Sequence, residues 1–246
     1  MKRILLLGCC SAILGAPTAF GLTPTAPDVA HWNPPSLEGR IGTPVALFNG
    51  KNLDGWIGYE AKPAPGQPEV PLSQVWTVRD GIIHEIGLPL GYLRTLVDYD
   101  NFVLTIEERH LDRGNGGAFI ALSGPDVVWP RCLEYQLLKG HEGDLFVDGL
   151  TSGPEAMQAF SLVTDPRLTR GRWAGRLGPD IEKPVGAWDT VQIVADHGYL
   201  TMLLNGTVVN AGRYTRGLSG KIALQAEKGV MEFRKVELSP IIRPPS

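Results

Sequence analysis

Asn101-Phe102-Val103-Leu104-Thr105-Ile106-Glu107-Glu108-Arg109 alternates with a period of two. Phe102, Leu104 and Ile106 point to one side of an extended chain, while Thr105, Glu107 and Arg109 point to the other. Cys132-Leu133-Glu134-Tyr135-Gln136-Leu137 repeats the pattern, with Leu133, Tyr135 and Leu137 on the apolar side and Cys132, Glu134 and Gln136 opposite. Both stretches read as strands with one face on a core and one polar face. From Pro44 to Leu238 no run of a dozen residues carries a helical apolar stripe. Short runs rich in β-branched and aromatic residues recur instead, separated by Gly, Asn, Asp and Pro, which is the pattern of an antiparallel β-sandwich.

Turn chemistry supports that reading. Trp188 to Leu204 reads as a hairpin about Asp196-His197-Gly198, and Leu204-Asn205-Gly206-Thr207 is the strongest two-residue hairpin signal in the chain. Leu218 to Glu227 and Val230 to Leu238 form a final pair around Lys228-Gly229. Apolar parity slips between Phe233 and Val236, which predicts a β-bulge. Thr164 to Pro184, with Arg167, Arg170, Arg172, Trp173 and Arg176, has no period and reads as a long loop, either solvated or facing substrate. Tyr59 to Pro71, rich in Pro and Ala, reads as a second loop.

The chain of 246 residues is long enough for one closed core, and its 43% hydrophobic and 20% charged residues fit a globular domain. A net charge of −3 provides no basic field for a phosphate backbone, which argues against nucleic acid as a partner. Met1-Lys2-Arg3 followed by an apolar run through Leu14 has the form of a secretory signal, too short to span a membrane. Cleavage after Gly21 is expected, giving a signal over 1–21, an extended lead-in over 22–43, a folded domain over 44–240 and a tail over 241–246. The product is expected to be periplasmic or extracellular. A lipoprotein anchored through Cys9 is the less favoured alternative. Cys9 and Cys10 leave with the signal, so Cys132 remains alone and no intramolecular disulfide is expected.

A chain of motifs then narrows the identification. Leu47-Phe48-Asn49-Gly50-Lys51-Asn52-Leu53-Asp54-Gly55-Trp56, Trp76-Thr77-Val78-Arg79-Asp80-Gly81-Ile82-Ile83, Gly91-Tyr92-Leu93-Arg94-Thr95 and Tyr99-Asp100-Asn101-Phe102 follow one another. Leu133-Glu134-Tyr135-Gln136, Gly186-Ala187-Trp188, Leu204-Asn205-Gly206, Leu224-Gln225 and Phe233-Arg234 continue the series. Together they resemble the 3-keto-disaccharide hydrolase domain family over roughly Pro44 to Pro240. The resemblance implies a concanavalin A-like jelly roll of two curved antiparallel sheets with a sugar site on the concave one. It also implies cleavage of glycosides already oxidised at C3, with a sugar 3-dehydrogenase acting upstream. Asn115-Gly116-Gly117, Asp189 and Lys235 depart from the family's usual residues and leave substrate preference open.

A carbonyl at C3 acidifies the hydrogen at C2, so the aglycone can leave C1 by elimination and water can add back. The reaction needs a base near C2, an acid near the leaving oxygen and a group on the enolate oxygen. Glu134, with Gln136 beside it, is the first choice for base or metal ligand; an ion pair to a residue such as Arg109 would satisfy it equally. Glu107 offers a second carboxylate and Arg109 a clamp, with a cross-strand ion pair as the alternative. His84 suits a proton shuttle or a metal ligand, or a hydrogen-bonded structural role. Asn115, Gln225 and Glu227 are candidates for sugar hydroxyls, and Trp188, Trp173 and Trp129 for stacking on a pyranose. Trp56 and Trp76 read as core, and Cys132 as a buried filler. Either a divalent metal ion or an arginine could stabilise the enolate, and no ligands for a metal are identified. The rival reading is a non-catalytic carbohydrate-binding module on the same fold.

Overall fold

A computed structural model describes residues 33–149, 160, 162–165 and 169–242. The expected signal, most of the lead-in, Arg167 and the end of the tail lie outside the described residues. The chain forms strands β1 (Val45–Ala46), β2 (Trp56–Glu60), β3 (Trp76–Arg79), β4 (Ile82–Glu85), β5 (Gly91–Thr95), β6 (Phe102–His110), β7 (Asn115–Ser123), β8 (Arg131–Gln136) and β9 (Leu145–Asp148). Then come β10 (Val163–Thr164), β11 (Thr169–Arg170), β12 (Trp173–Ala174), β13 (Asp189–Asp196), β14 (Tyr199–Leu204), β15 (Thr207–Arg213), β16 (Lys221–Glu227) and β17 (Met231–Pro240). A single turn of helix, α1 (Leu72–Val75), precedes β3. No helix among the described residues is long and apolar enough to cross a membrane.

The strands make two antiparallel sheets, the jelly-roll sandwich expected. The first runs β10-β15-β14-β13-β6-β17-β4-β3 with β1 also on β17; the second runs β11-β12-β9-β8-β7-β16-β5-β2. The inward side chains of both sheets meet in one core, with Leu104, Ile106, Val191 and Phe233 of the first sheet facing Ile120, Leu133, Tyr135 and Leu224 of the second. Each fully buried aliphatic or aromatic side chain there contributes about 1.5–3 kcal/mol. Trp76 and Trp56 join this core, as their apolar settings suggested.

Both predicted tight turns form, His197-Gly198 between β13 and β14 and Asn205-Gly206 between β14 and β15. All four residues have positive φ, 45° and 106° in the first turn and 50° and 80° in the second, the twist that a two-residue hairpin demands. Asp80 and Gly81, at 53° and 77°, repeat it between β3 and β4. The bulge on β17 falls between Phe233 and Lys235, leaving Arg234 exposed.

Two expectations for irregular segments are revised. Tyr59 and Glu60 complete β2, and only the residues after them form a loop. Within the arginine-rich stretch, β11 and β12 extend the second sheet by pairing Trp173 with Phe146 of β9. At the other end, residues just before Pro44 and just after Pro240 pair with one another through Ile41 and Ile241. Leu37 and Ile241 cover Val103, Val194 and Leu203, and Arg40 holds Asp196 with two hydrogen bonds of 2.9 and 2.6 Å.

Candidate functional site

On β8 the inward positions Leu133 and Tyr135 fill the core, so Glu134 and Gln136 project from the outer face of the second sheet. The ladder brings the neighbours to them. Gly117 of β7 lies between Gln136 of β8 and Gln225 of β16, Phe146 of β9 stands opposite Glu134, and Asp148 stands opposite Cys132. Asn115 and Glu227 face each other at the end of β7 and β16. Glu134, Gln136, Asn115, Gln225 and Glu227 therefore occupy one surface.

Gly117 is what lets them close up. A β-carbon placed on it would stand 2.5 Å from Glu134 Oε1 and 2.7 Å from Gln225 Oε1, so both oxygens occupy the space a side chain would take. Glu134 is only 3% exposed, and this burial is the main reason its carboxyl is held protonated far above the usual carboxylate range. A hydrogen bond to Asp148 and the charges of Asp148 and Glu227 push the same way, with Arg172 opposing. Arg172 Nη1 donates to Asp148 Oδ1 at 2.7 Å, which makes Asp148 the ion-paired member of the two. Glu227 is raised as well, first by burial and then by Asp148, while the Gln225 amide stabilises its charged form.

Five buried oxygens on this surface accept no hydrogen bond from any described residue: Asn115 Oδ1, Glu134 Oε1, Gln136 Oε1, Asp148 Oδ2 and Gln225 Oε1. A set of buried acceptors without donors is costly unless a donor-rich molecule is received there. Beside them Gln136, Leu138, His141, Asp144, Phe146 and Trp173 enclose a depression of about 230 Å³. Trp173 Nε1 donates to Asp144 Oδ2 at 2.9 Å and its ring lies 6.3 Å from that of Phe146, so one apolar wall is fixed in place. At the other flank Tyr59, Tyr92 and Phe119 pack together, and Tyr92 and Arg94 both hold Asp126.

The structure does not bring His84, Glu107, Arg109 and Trp188 to this surface. β4 and β6 belong to the first sheet, and these side chains project from its outer face, on the far side of the sandwich. Glu232 receives both Arg109 and, at 2.7 Å, His84 Nδ1. Glu107 pairs with Arg234, and the Trp188 ring lies between Arg109 and Arg234 at 4.6 and 4.5 Å. The cross-strand ion-pair alternative describes Glu107 and Arg109, and Arg109 is not the partner of Glu134. Trp129 is exposed, and Cys132 is a buried thiol packed with Tyr92 and Phe119.

Asp148, Arg172, Phe146 and Gly117 share this candidate surface, and sequence reasoning passed over them. The Arg172 position was within the segment read as a loop, and Phe146 and Asp148 alternate outward on a strand of only four residues. Among the described residues one group of carboxylates and imidazole converges closely enough for a metal ion, Glu108, His110 and Glu142, and it lies between the sheets.

Solved structures of similar fold share little sequence. A candidate glycosyl hydrolase from Parabacteroides distasonis is 20% identical, with a TM-score of 0.56 over 80% of this chain and 94% of that one. LamAcat from Zobellia galactanivorans is 10% identical, with a TM-score of 0.52 over 81% and 97%. The carbohydrate recognition domain of Emp47p is 14% identical, with a TM-score of 0.50 over 83% and 98%. At such identities the likeness establishes the jelly-roll fold alone. No curated protein matches the chain in sequence. The profile of one domain family does match, over residues 43–239, most of the chain and all of both sheets' long strands. The chain thus belongs to the family described as the 3-keto-alpha-glucoside-1,2-lyase-like domain.

Proposed function

We propose that the outer face of the second sheet cleaves 3-keto-glycosides by elimination and hydration, with Glu134 as proton donor. The observation that carries this reading is the fully buried Glu134 beside Asp148 amid acceptors that lack donors, a setting in which burial raises its affinity for a proton. A sugar offers hydroxyl donors to Asn115, Gln136 and Gln225, which fix the ring over Gly117. Its burial supports Glu134 as the acid, whereas alternation alone favoured it as base or metal ligand. Glu227, half-buried at the rim with its affinity for protons raised, is then the base.

Glu227 takes the proton from C2, and the electron pair of that bond is delocalised onto the C3 oxygen as an enolate. The pair returns to form the C1–C2 double bond, the C1–O bond breaks, and the leaving oxygen takes the proton of Glu134. Water then adds across that double bond, hydroxyl to C1 and proton to C2, giving a free 3-keto sugar and an alcohol. Arg172, anchored on Asp148, supplies a positive charge beside Glu134 and Glu227. The substrate would come from an oxidoreductase that removes hydride from C3 and the proton from its hydroxyl.

A non-catalytic carbohydrate-binding module would use the Phe146 and Trp173 wall in the same way but has no need of three neighbouring carboxyls. The test is to incubate the purified protein with a disaccharide chemically oxidised at C3 and with its unoxidised parent. Release of free sugar from the oxidised compound alone supports the proposal. Equal cleavage of both, or saturable binding of the oxidised compound without cleavage, overturns it.

A further inference from the structure

The inner face of β6 breaks its own pattern. Phe102, Leu104 and Ile106 are followed on the same side by Glu108 and His110, so a carboxylate and an imidazole are driven between the two sheets. Glu142, from the loop after β8, meets them there. The three side chains are 0%, 1% and 0% exposed, and one donor atom from each lies within 4.8 Å of the others.

The surroundings are otherwise satisfied. Glu182 accepts from the backbone N–H of Gly140 at 2.7 Å and of Glu142 at 3.0 Å and from Arg176 at 3.1 Å. Asp189 accepts from Asn205 Nδ2 at 2.6 Å and from the backbone of Lys183. Lys139 Nζ stands 3.2 Å from both Glu142 Oε1 and Glu182 Oε2. What is left over is concentrated at one point: among the described residues both oxygens of Glu108, Oε2 of Glu142 and Nδ1 of His110 have no hydrogen-bond partner. His110 Nε2 meets Glu142 Oε1 at 3.1 Å, a contact that lowers the Glu142 pKa against the effect of burial and that a metal ion between the two atoms would replace.

Charge gives the same answer by a separate route. With Glu108, Glu142, Glu182 and Asp189 ionised and His110 neutral, the form a metal ion requires, Lys139 and Arg176 leave two negative charges in the interior, and without a cation burial pushes the Glu108 and Glu142 carboxyls toward the protonated form. Uncompensated charge of that kind is not sustained in an apolar core. Two negative charges are the complement of one divalent ion. Donor atoms held at about 2.0–2.2 Å from one ion stand roughly 3–4 Å apart, so the widest separation here must close by about 1–2 Å at most.

We propose that Glu108, His110 and Glu142 form a structural site for one divalent transition-metal cation, of the zinc or manganese class, clamping β6 to the loop after β8. One imidazole with two carboxylates is a donor set for those ions, whereas calcium and magnesium favour oxygen alone. The site is separate from the outer-face surface on β7, β8, β9 and β16, so its occupancy is read by metal content and stability, not turnover.

The chain is unfolded in guanidinium with EDTA and refolded with Zn²⁺, Mn²⁺, Ca²⁺ or no added ion; bound metal is then measured by mass spectrometry and melting by calorimetry. One equivalent of zinc or manganese, with a melting temperature raised by roughly 5–10 °C over the metal-free protein, is expected. Glu108→Gln and His110→Gln are expected to lose both the metal and the shift; the second variant guards against misfolding of the first. Less than about a tenth of an equivalent with unchanged melting, or stabilisation by calcium alone, overturns the proposal. So does a Glu108→Gln protein that melts higher than wild type in every ion, because a trapped proton on Glu108 would then explain the cluster.

Discussion

Glu134 Oε1 occupies the space above Gly117 where a β-carbon would stand, 2.5 Å from that position, and Gln225 Oε1 shares the same space at 2.7 Å. Gly117 is not needed for backbone freedom, since its φ is not among the positive ones. It is needed as an absence of side chain. Gly117→Ala should therefore fold, at a cost of about 1–3 kcal/mol for overpacking. The displaced Glu134 should lower turnover of a 3-keto-disaccharide about 10²-fold. Urea denaturation and steady-state kinetics check the two figures, and full activity in a folded variant would detach Gly117 from the site.

Glu134→Gln removes the transferable proton but keeps a donor toward Asp148. The expected result is loss of about 10²–10⁴ in release of free sugar, with the fold retained by circular dichroism. Gln225→Ala, which deletes one acceptor and the amide that steadies Glu227, should raise KM more than it lowers kcat.

The same carboxyl makes stability depend on pH with a definite sign. Folding raises the affinity of Glu134 for its proton above its ordinary value of 4.5, chiefly through burial. Its contribution is complete below that value and is lost as pH rises through the higher folded value, because the buried group must then ionise. Denaturation midpoints measured from pH 5 to 9 should fall less steeply for Glu134→Gln than for wild type, so the inactive variant becomes the more stable of the two in alkali. Parallel curves would show that Glu134 is not protonated in the folded protein.

Sequence periodicity resolved the fold and half of the site for one reason. Alternation states which side of its own strand a residue occupies, and this placed Glu134, Gln136, Gln225 and Glu227 outward as found. It does not state to which sheet the strand belongs. Glu107 and Glu134 carry the same local signature, yet β6 and β8 sit in different sheets with opposite outward directions. Asp148 and Phe146 lie on four residues, too few for a period to speak, and Arg172 reaches Asp148 only through the pairing of β12 with β9. Glu108 and His110 were legible in principle, since they fall on the parity of Phe102, Leu104 and Ile106. A polar residue on the core side of a strand marks a site inside the sandwich, and the outward-facing neighbours drew the reading away from it.

That division between sheets predicts which polar residues are dispensable for chemistry. Arg109 and Arg234 enclose Trp188, and Glu232 and Glu107 hold the two guanidiniums on a half-exposed surface. The partly exposed Glu107–Arg234 pair contributes about 0–1 kcal/mol, a cation over an indole adds about 0.5–1 kcal/mol, and the Arg109–Glu232 pair is worth more because Glu232 is buried. Glu107→Gln should cost stability in the lower range and Arg109→Met a few kcal/mol, His84 remaining on Glu232. Both should leave kcat and KM on a 3-keto-disaccharide within about twofold of wild type, because neither strand reaches the outer face of the second sheet. If Glu107→Gln instead abolished turnover in a protein that melted normally, the reacting sugar would have to bind on the first sheet, and Glu134 with its unpartnered neighbours would need another explanation.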